Sequence, residues 1–351
     1  MNIFLLFISI IFIILLLSLL CCKLKKIHEK YTNFPTIDIV YTWVESDEEF
    51  MKERDYYYNI EVDGKISTSE MKKRHVSNNE LKYSLRSLEK YFPYYRYIYI
   101  IVKDGQYPKF LKEHETIKII SHSHIIPQEF LPTFNSHMIE NYIHKIPNLS
   151  EFYIYLNDDF FFLKEISPDF FINKKTFLPF MFFYKKIKHE IICKELNTYN
   201  FKNNWNCNYE FLKNFIDMKN IYGCSHIPKI YKKSTDNEIE KIFLNYDDNE
   251  LGNATPRTNL YLKTTKSKFR KNHDLMLNVL VKPNMYVYMF NSEFKHSNEL
   301  YIDNYNELKP SMLKKLKKYN FLCINSIENG DEKDYKKTMD TLFPIKSSYE
   351  I

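Results

Sequence analysis

The sequence predicts an α/β fold: a single domain on a largely parallel mixed sheet, preceded by one apolar N-terminal helix. Three observations lead there. Short apolar runs recur at 37–44 (IDIVYTWV), 97–102 (YIYIIV), 117–120 (IKII) and 152–156 (FYIYL), rich in β-branched and aromatic residues. Segments of helical periodicity separate them, the alternation expected of a parallel sheet. Each run stops at polar residues, among them Asp47, Asp104, His122 and the triplet Asn157-Asp158-Asp159. In such sheets ligands sit outside the carboxyl ends of the strands.

The elements follow in order. Residues 3–20 are apolar apart from Ser9 and Ser18, close to the roughly 20 residues that cross a bilayer. Residues 1–22 are therefore expected to form an uncleaved membrane anchor and 23–36 a linker. Lys23, Lys25, Lys26 and Lys30 follow the span, which by the positive-inside rule favours a cytoplasmic domain. The domain proper is expected over 37–345, with an α/β core at 37–163 and a helical and mixed part at 164–345 that completes the site. After the first strand, 50–73 should form a helix and then a loop. Ser77 and Glu80 form a capping box before the stripe Leu81, Leu85, Leu88 and Phe92, and Pro93 ends that helix. Asn135 or Ser136 caps a helix whose inner face is Ile139, Tyr142, Ile143 and Ile146. Residues 164–205 read as loop-rich, 205–218 as helical, and Thr235 with Glu238 opens a further capped helix. Residues 283–290 (PNMYVYMF) read as a strand, 307–319 as a basic amphipathic helix, and a helical patch precedes Pro344.

Composition narrows the function classes. Gly is scarce, at 5 of 351 residues, and neither a GxGxxG nor a P-loop occurs, which argues against glycine-loop nucleotide sites. A net charge of +6, spread along the chain, does not favour nucleic acid but suits an anionic substrate. Six cysteines give no CxxC and no zinc spacing. Cys21 and Cys22 are juxtamembrane, and Cys193, Cys207, Cys224 and Cys323 are expected as free buried thiols unless the compartment is oxidising. His122-Ser123-His124 lacks a third zinc ligand. Asn148-Leu149-Ser150 and Asn253-Ala254-Thr255 have the form of glycosylation acceptors.

The paired acids carry the chemistry. Adjacent carboxylates at a strand exit cost too much to bury unless a metal or a base neutralises them. Hard cations take carboxylate oxygens and share their remaining sites with substrate phosphates. Asp158 and Asp159 thus suggest a metal–diphosphate site, against the plainer reading of a polar turn.

Beyond this the chain resembles the Stealth family of hexose-1-phosphate transferases, which includes bacterial capsule enzymes and the α/β subunit of the Golgi UDP-GlcNAc:lysosomal-enzyme N-acetylglucosamine-1-phosphotransferase. The resemblance runs through Ile37–Val44 with Asp47, and through Arg74 and the run Asn79-Glu80-Leu81-Lys82-Tyr83-Ser84-Leu85-Arg86-Ser87. It continues with Gln106, Pro108, His122, Leu131–Ser136 and Ile154–Asp159, then Ser225-His226-Ile227-Pro228-Lys229 with Arg257, and Phe321–Asn325 with Phe343-Pro344. Two departures stand out. The first motif, Trp43-Val44-Glu45-Ser46-Asp47, lacks the family glycine and is one residue short. The last reads Asn325-Ser326 where the family has Asn-Asp.

The resemblance implies transfer of a sugar-1-phosphate, such as GlcNAc-1-phosphate, from a nucleotide-diphosphate sugar to a glycan hydroxyl. It implies Mg²⁺ or Mn²⁺ on Asp158 and Asp159, His226 as general base and Arg257 as a phosphate clamp. Arg74 and Arg86 are implied as phosphate ligands or structural ion pairs. Asp47 is implied as a nucleotide or metal contact, His122 as a ligand-orienting residue or turn cap, and Asn135 and Ser136 as an anion-binding helix start or a simple cap. Glu80, Asn157 and Asn325 complete the substrate-binding set. The Golgi relative favours a lumenal domain, against the lysine bias. The rival readings are an ordinary glycosyltransferase and an inactive anchored homologue that binds a glycan or nucleotide.

Overall fold

The computed structural model describes residues 34–62, 78–187, 201–217, 221–245, 274–302, 307–325 and 332–351, with 11–13, 18, 261, 264, 268 and 269. Most of the expected anchor and linker, and Ser77, Arg74, Arg257 and Ser326, lie outside the described residues. Among the described residues no helix is long and apolar enough to cross a membrane. The chain divides into two units, and everything below concerns the second, Thr36–Ile351.

In chain order its elements begin with β1 (Ile37–Thr42), α1 (Glu48–Val62), α2 (Glu80–Tyr91), β2 (Ile98–Val102), β3 (Ile117–Ser121), α3 (Ser136–Asn141), β4 (Phe152–Asn157) and β5 (Phe160–Phe162). There follow α4 (Pro168–Phe171), β6 (Phe180–Ile187), α5 (Phe201–Leu212), β7 (Ile221–Cys224), β8 (Lys229–Lys232) and α6 (Lys233–Leu244). A π-helical turn (Leu277–Val281) runs into α7 (Lys282–Tyr288), then β9 (Glu293–His296), β10 (Glu299–Ile302), α8 (Leu313–Leu316), β11 (Phe321–Ile324) and α9 (Glu332–Leu342).

The central sheet has the order β3-β2-β1-β4-β8. Its first four strands are parallel and β8 closes one edge antiparallel. Both faces are covered, which is why the strands read as continuous apolar runs. Alternate residues serve two cores. Val40, Tyr99, Ile101, Tyr153, Tyr155 and Tyr231 pack with residues of α3, α5, α6 and α7. Ile39, Tyr41, Ile98, Ile100, Ile154, Leu156 and Ile230 pack with α2 and with the phenylalanines of β5, α4 and β6.

Two smaller sheets, β10-β11-β5 and β7-β6-β9, bring the later chain to the same end of the central sheet. β11 lies antiparallel to β5, with Cys323 opposite Phe160, and Ile324 N donates to Asp159 O at 3.2 Å. Across the turn, α2 is fastened to β5 by its serines. Ser84 Oγ donates to Phe160 O and lies 2.9 Å from Tyr41 Oη, and Ser87 Oγ accepts from Phe162 N at 3.0 Å.

Several expectations change. Residues 283–290 are not a strand: α7 occupies Lys282–Tyr288, and residues buried on every side do not reveal their period. The Phe-rich stretch expected as loop contains β6. The basic segment 307–319 holds only a 3-10 turn and the four-residue α8, since Leu316 is the buried anchor there. Helix α6 starts at Lys233 rather than at a Thr235 cap, and α2 starts after Asn79, whose backbone is left-handed at φ 63°. Cys207 is disulfide-bonded rather than free, whereas Cys224 and Cys323 are free and buried as expected.

Arg86 is also settled by packing. Its guanidinium donates to both Glu350 oxygens at 2.7 and 2.6 Å and to Phe343 O at 2.9 Å, so it ties the C-terminus to α2 and does not face a ligand. Both partners are buried, and removing one strands the other's charge, at a cost of about 3–5 kcal/mol. Glu350→Gln is therefore expected to lower the urea unfolding free energy at pH 7 by about 3 kcal/mol. Arg86 holds the Glu350 carboxyl below its usual range, against the opposing effect of burial. The stabilisation is thus full above an unfolded-state value near pH 4.3 and is lost as pH falls through the folded value, so the difference from wild type should shrink below about pH 4.

Candidate active site

The sheet reverses its winding order between β1 and β4: β2 and β3 extend one way from β1, and β4 returns to its other side. Ligands favour the crevice at the carboxyl ends of such a strand pair. Thr42 and Asn157 are register partners at that end. Tyr155 organises it: its hydroxyl lies 3.2 Å from Thr42 Oγ1, 2.6 Å from Asn157 Oδ1 and 3.1 Å from Glu140 Oε1. Glu140 comes from α3 and is buried.

Asp158 and Asp159 form the turn between β4 and β5 and are partly exposed. Glu80, buried at the first turn of α2, is close enough for its charge to act on both. Burial, then the Asp159 charge, then that of Glu80, pushes the Asp158 carboxyl well above its ordinary value. Burial and Glu80 push Asp159 up to about 7, against the opposing Cys323 thiol, 3.9 Å from Oδ2, and the Lys229 ammonium. Asp159 Oδ1 is buried and has no hydrogen-bond partner.

Antiparallel pairing sets Lys229 opposite Tyr155, so the preceding residues Ser225-His226-Ile227-Pro228 run past the Asn157–Asp159 end. His226 is held by its backbone, whose N–H donates to Glu299 Oε1 at 3.3 Å, and its ring lies against Tyr301 with centroids 4.7 Å apart. Ser297 Oγ donates to the other Glu299 oxygen at 2.8 Å. Burial, helped by Lys229, lowers the His226 pKa to about 4 and keeps the imidazole neutral at pH 7.

The structure thus brings Glu80 to the Asp158-Asp159 turn beside Asn157, places His226 in the segment that leads into β8 next to β4, and sets Asn325 one residue past the Ile324 that bonds Asp159. Asn325 itself is exposed. Other expected residues serve the fold. Asp47 lies past the end of β1, but its Oδ1 accepts from Phe50 N at 2.8 Å and so caps α1. His122 is buried at the end of β3, separated from β4 by two strands, and burial lowers its pKa to about 4. Asn135 is fully buried; its Oδ1 accepts from His137 N at 3.1 Å and its Nδ2 donates to Asp274 at 2.8 Å. Of the two cap readings the structure therefore gives Asn135 the plain one, and Ser136 opens a helix of only six residues. Sequence reading did not single out Tyr155, Glu140, Glu299 or Lys229. Two of them carried a signal, Lys229 as the last residue of the Ser225–Lys229 motif and Tyr155 within Ile154–Asp159.

Among the described residues no three His, Cys, Asp or Glu side chains form a metal cage. The fit to a hard cation rests elsewhere. Mg²⁺ commonly uses one or two carboxylates and fills its octahedron with water and substrate phosphate. A crowded acid pair with an orphaned, buried oxygen is such a donor set.

A switch-point edge with crowded carboxyls, next to a strand that carries a neutral imidazole, marks a candidate site in an α/β protein. Comparison with known proteins makes this specific. Residues 74–179 match the family model described as Stealth protein CR2, conserved region 2, so that this region is similar to the Stealth family. It is 45% identical over 156 residues to the capsular polysaccharide phosphotransferase cps1A of Actinobacillus pleuropneumoniae, covering 43% of this chain and 42% of the relative. It is 40% identical over 153 residues to capsular polysaccharide phosphotransferase fcs1 of Haemophilus influenzae, with coverage of 43% and 42%. The match therefore spans about two fifths of these relatives. Among solved structures, an active-site mutant of LgtC aligns over 87% of this chain and 95% of its own at 10% identity, with a TM-score of 0.40, a likeness too slight to bear on the chemistry.

Charge crowding makes a prediction independent of activity. The folded-state pKa of Asp159 is raised above its unfolded value near 3.9, so ionising it opposes folding. That cost is absent below about pH 4, grows towards about pH 7 and is full above it. In metal-free buffer at pH 8, Asp159→Asn should therefore raise the Tm, by about 1–2 kcal/mol in stability, and the gain should vanish near pH 4. Millimolar Mg²⁺ should raise the wild-type Tm and leave that of the variant unchanged.

Proposed function

We propose that this protein transfers a sugar-1-phosphate from a nucleotide-diphosphate sugar to a hydroxyl of a glycan acceptor, with Mg²⁺ or Mn²⁺ as cofactor and GlcNAc-1-phosphate as the first donor group to test. The observation that carries the reading is the Asp158-Asp159 turn at the β1/β4 switch point, where three carboxylates crowd together and one oxygen lacks a partner. Relatives named as capsular polysaccharide phosphotransferases support the same direction.

In this reading the acceptor hydroxyl attacks the phosphorus next to the sugar. A new P–O bond forms, the bond to the nucleoside monophosphate breaks, and the hydroxyl proton passes to His226. Phosphoryl transfer needs positioning and charge neutralisation more than covalent help. A divalent cation on Asp158 and Asp159 would neutralise diphosphate oxygens and stabilise the leaving group. Glu80 keeps the pair electronegative, and Asn157, fixed by Tyr155, shapes the floor of the crevice. His226 is suited to take the proton because it is neutral, with its backbone held by Glu299 and its ring against Tyr301. Arg257 is assigned to the donor phosphates, where its planar fork matches paired oxygens.

Incubation with nucleotide sugars and Mg²⁺ should release nucleoside monophosphate and give a product that keeps the phosphate by mass spectrometry. Asp159→Ala and His226→Ala should each lower kcat/KM by at least about 100-fold. Equal rates in all three proteins, or a plain glycoside as product, would reject the assignment. With saturating Mg²⁺, the acid limb of kcat/KM should fall well below pH 6.5. The base is active when neutral, and burial holds its pKa at about 4.

A further inference from the structure

Lys229 is the one charged residue of the Ser225–Lys229 motif, and the proposed transfer has not used it. It opens β8 opposite Tyr155, so its stem shares the sheet face of the hydroxyl that organises the crevice. The residue is 6% exposed, and among the described residues its ammonium has no hydrogen-bond partner and no carboxylate within ion-pairing distance. Its nearest aromatic neighbour is the Phe160 ring, 5.8 Å from Nζ to centroid. Asp159, Glu140 and Glu299 are close enough for their charges to act on it, yet each has another role. Glu299 is engaged by His226 N and Ser297, Glu140 faces Tyr155, and Asp159 lies in the turn beyond β4.

A lysine stem covered this well ordinarily ends in an ion pair or reaches out over the surface. This one does neither. A covered cation without a protein partner costs stability, and an apolar side chain of similar length would be tolerated better. Its position supplies the missing partner. Asp158 lies three residues past Tyr155, about 10 Å along the chain, and the charges of Lys229 and Asp159 act on each other, so an anion between the ammonium and a cation on the Asp158-Asp159 turn would fill the gap at the end of β4. A diphosphate, with oxygens on two phosphorus atoms, fits such a gap, whereas a neutral sugar hydroxyl would not offset the charge.

We propose that Lys229 is a substrate-binding residue that takes an oxygen of the donor diphosphate opposite the metal carboxylates. This rests on the transfer reading given above and extends it to the mode of diphosphate recognition. The role is separable from folding. Lys229→Met replaces the cation with an apolar side chain of similar length, and Lys229→Arg keeps the charge.

The test is calorimetric titration of the full chain with inorganic pyrophosphate, with Mg²⁺ present, alongside thermal melts. Lys229→Met is expected to weaken pyrophosphate binding at least tenfold while its Tm stays equal to or above that of wild type, and Lys229→Arg to recover most of the affinity. Equal pyrophosphate affinity in Lys229→Met and wild type would overturn the proposal. So would a lowered Tm in Lys229→Met that Lys229→Arg restores without restoring pyrophosphate binding, because the lysine would then be structural. The transfer reading fails on a different result, namely no nucleoside monophosphate released by wild type from any nucleotide sugar.

Discussion

The structure depends on how three carboxylates are held at one end of a parallel sheet. β4 ends at Asn157, and the chain turns at once through Asp158 and Asp159 into β5, so the backbone places two acids side by side. α2 adds Glu80 and is pinned there by Ser84 and Ser87, which bind the backbone of β5. β11 closes the turn from the other side through Ile324. Charges this close raise one another's pKa unless something positive intervenes. Within the described residues no base pairs with either aspartate. The fold therefore crowds acidic groups whose mutual repulsion is relieved by a proton or by a bound cation.

Much of this was legible in the sequence. The four parallel strands and their polar exits were readable because strands buried on both faces leave unbroken apolar runs bounded by polar residues. The Asp158-Asp159 pair was readable because adjacent acids after such a run have few structural uses. What failed was what depends on neighbours. β6 was hidden in a Phe-rich stretch, and α7 looked like a strand because its aromatic residues are buried all round. Lys229, Tyr155 and Glu140 meet only through the register of β8 on β4 and the docking of α3, which no local pattern encodes.

The polar motif residues divide along the same line. Arg86, Asp47 and Asn135 look like ligand-binding groups in the sequence, yet each is engaged by the protein's own backbone or by a buried acid. Arg86 joins α2 to the C-terminus, Asp47 starts α1 and Asn135 starts α3. They keep the helices around the crevice in place, so their identity is fixed by packing. Asp158, Asp159 and Lys229 differ in kind: among the described residues none of them has a salt bridge, and the two aspartates crowd against Glu80. Partnering decides the assignment, which is why the sequence alone could not make it.

The central claim is that the paired aspartates hold a divalent cation. The most direct measurement is anomalous diffraction from crystals soaked in Mn²⁺ with a nucleotide-diphosphate sugar. The account predicts a metal peak at roughly 2.0–2.2 Å from a carboxylate oxygen of Asp158 or Asp159, with donor phosphate oxygens in its coordination sphere. Well-ordered donor density with no metal at these carboxylates, or a metal bound elsewhere in the crevice, would contradict it.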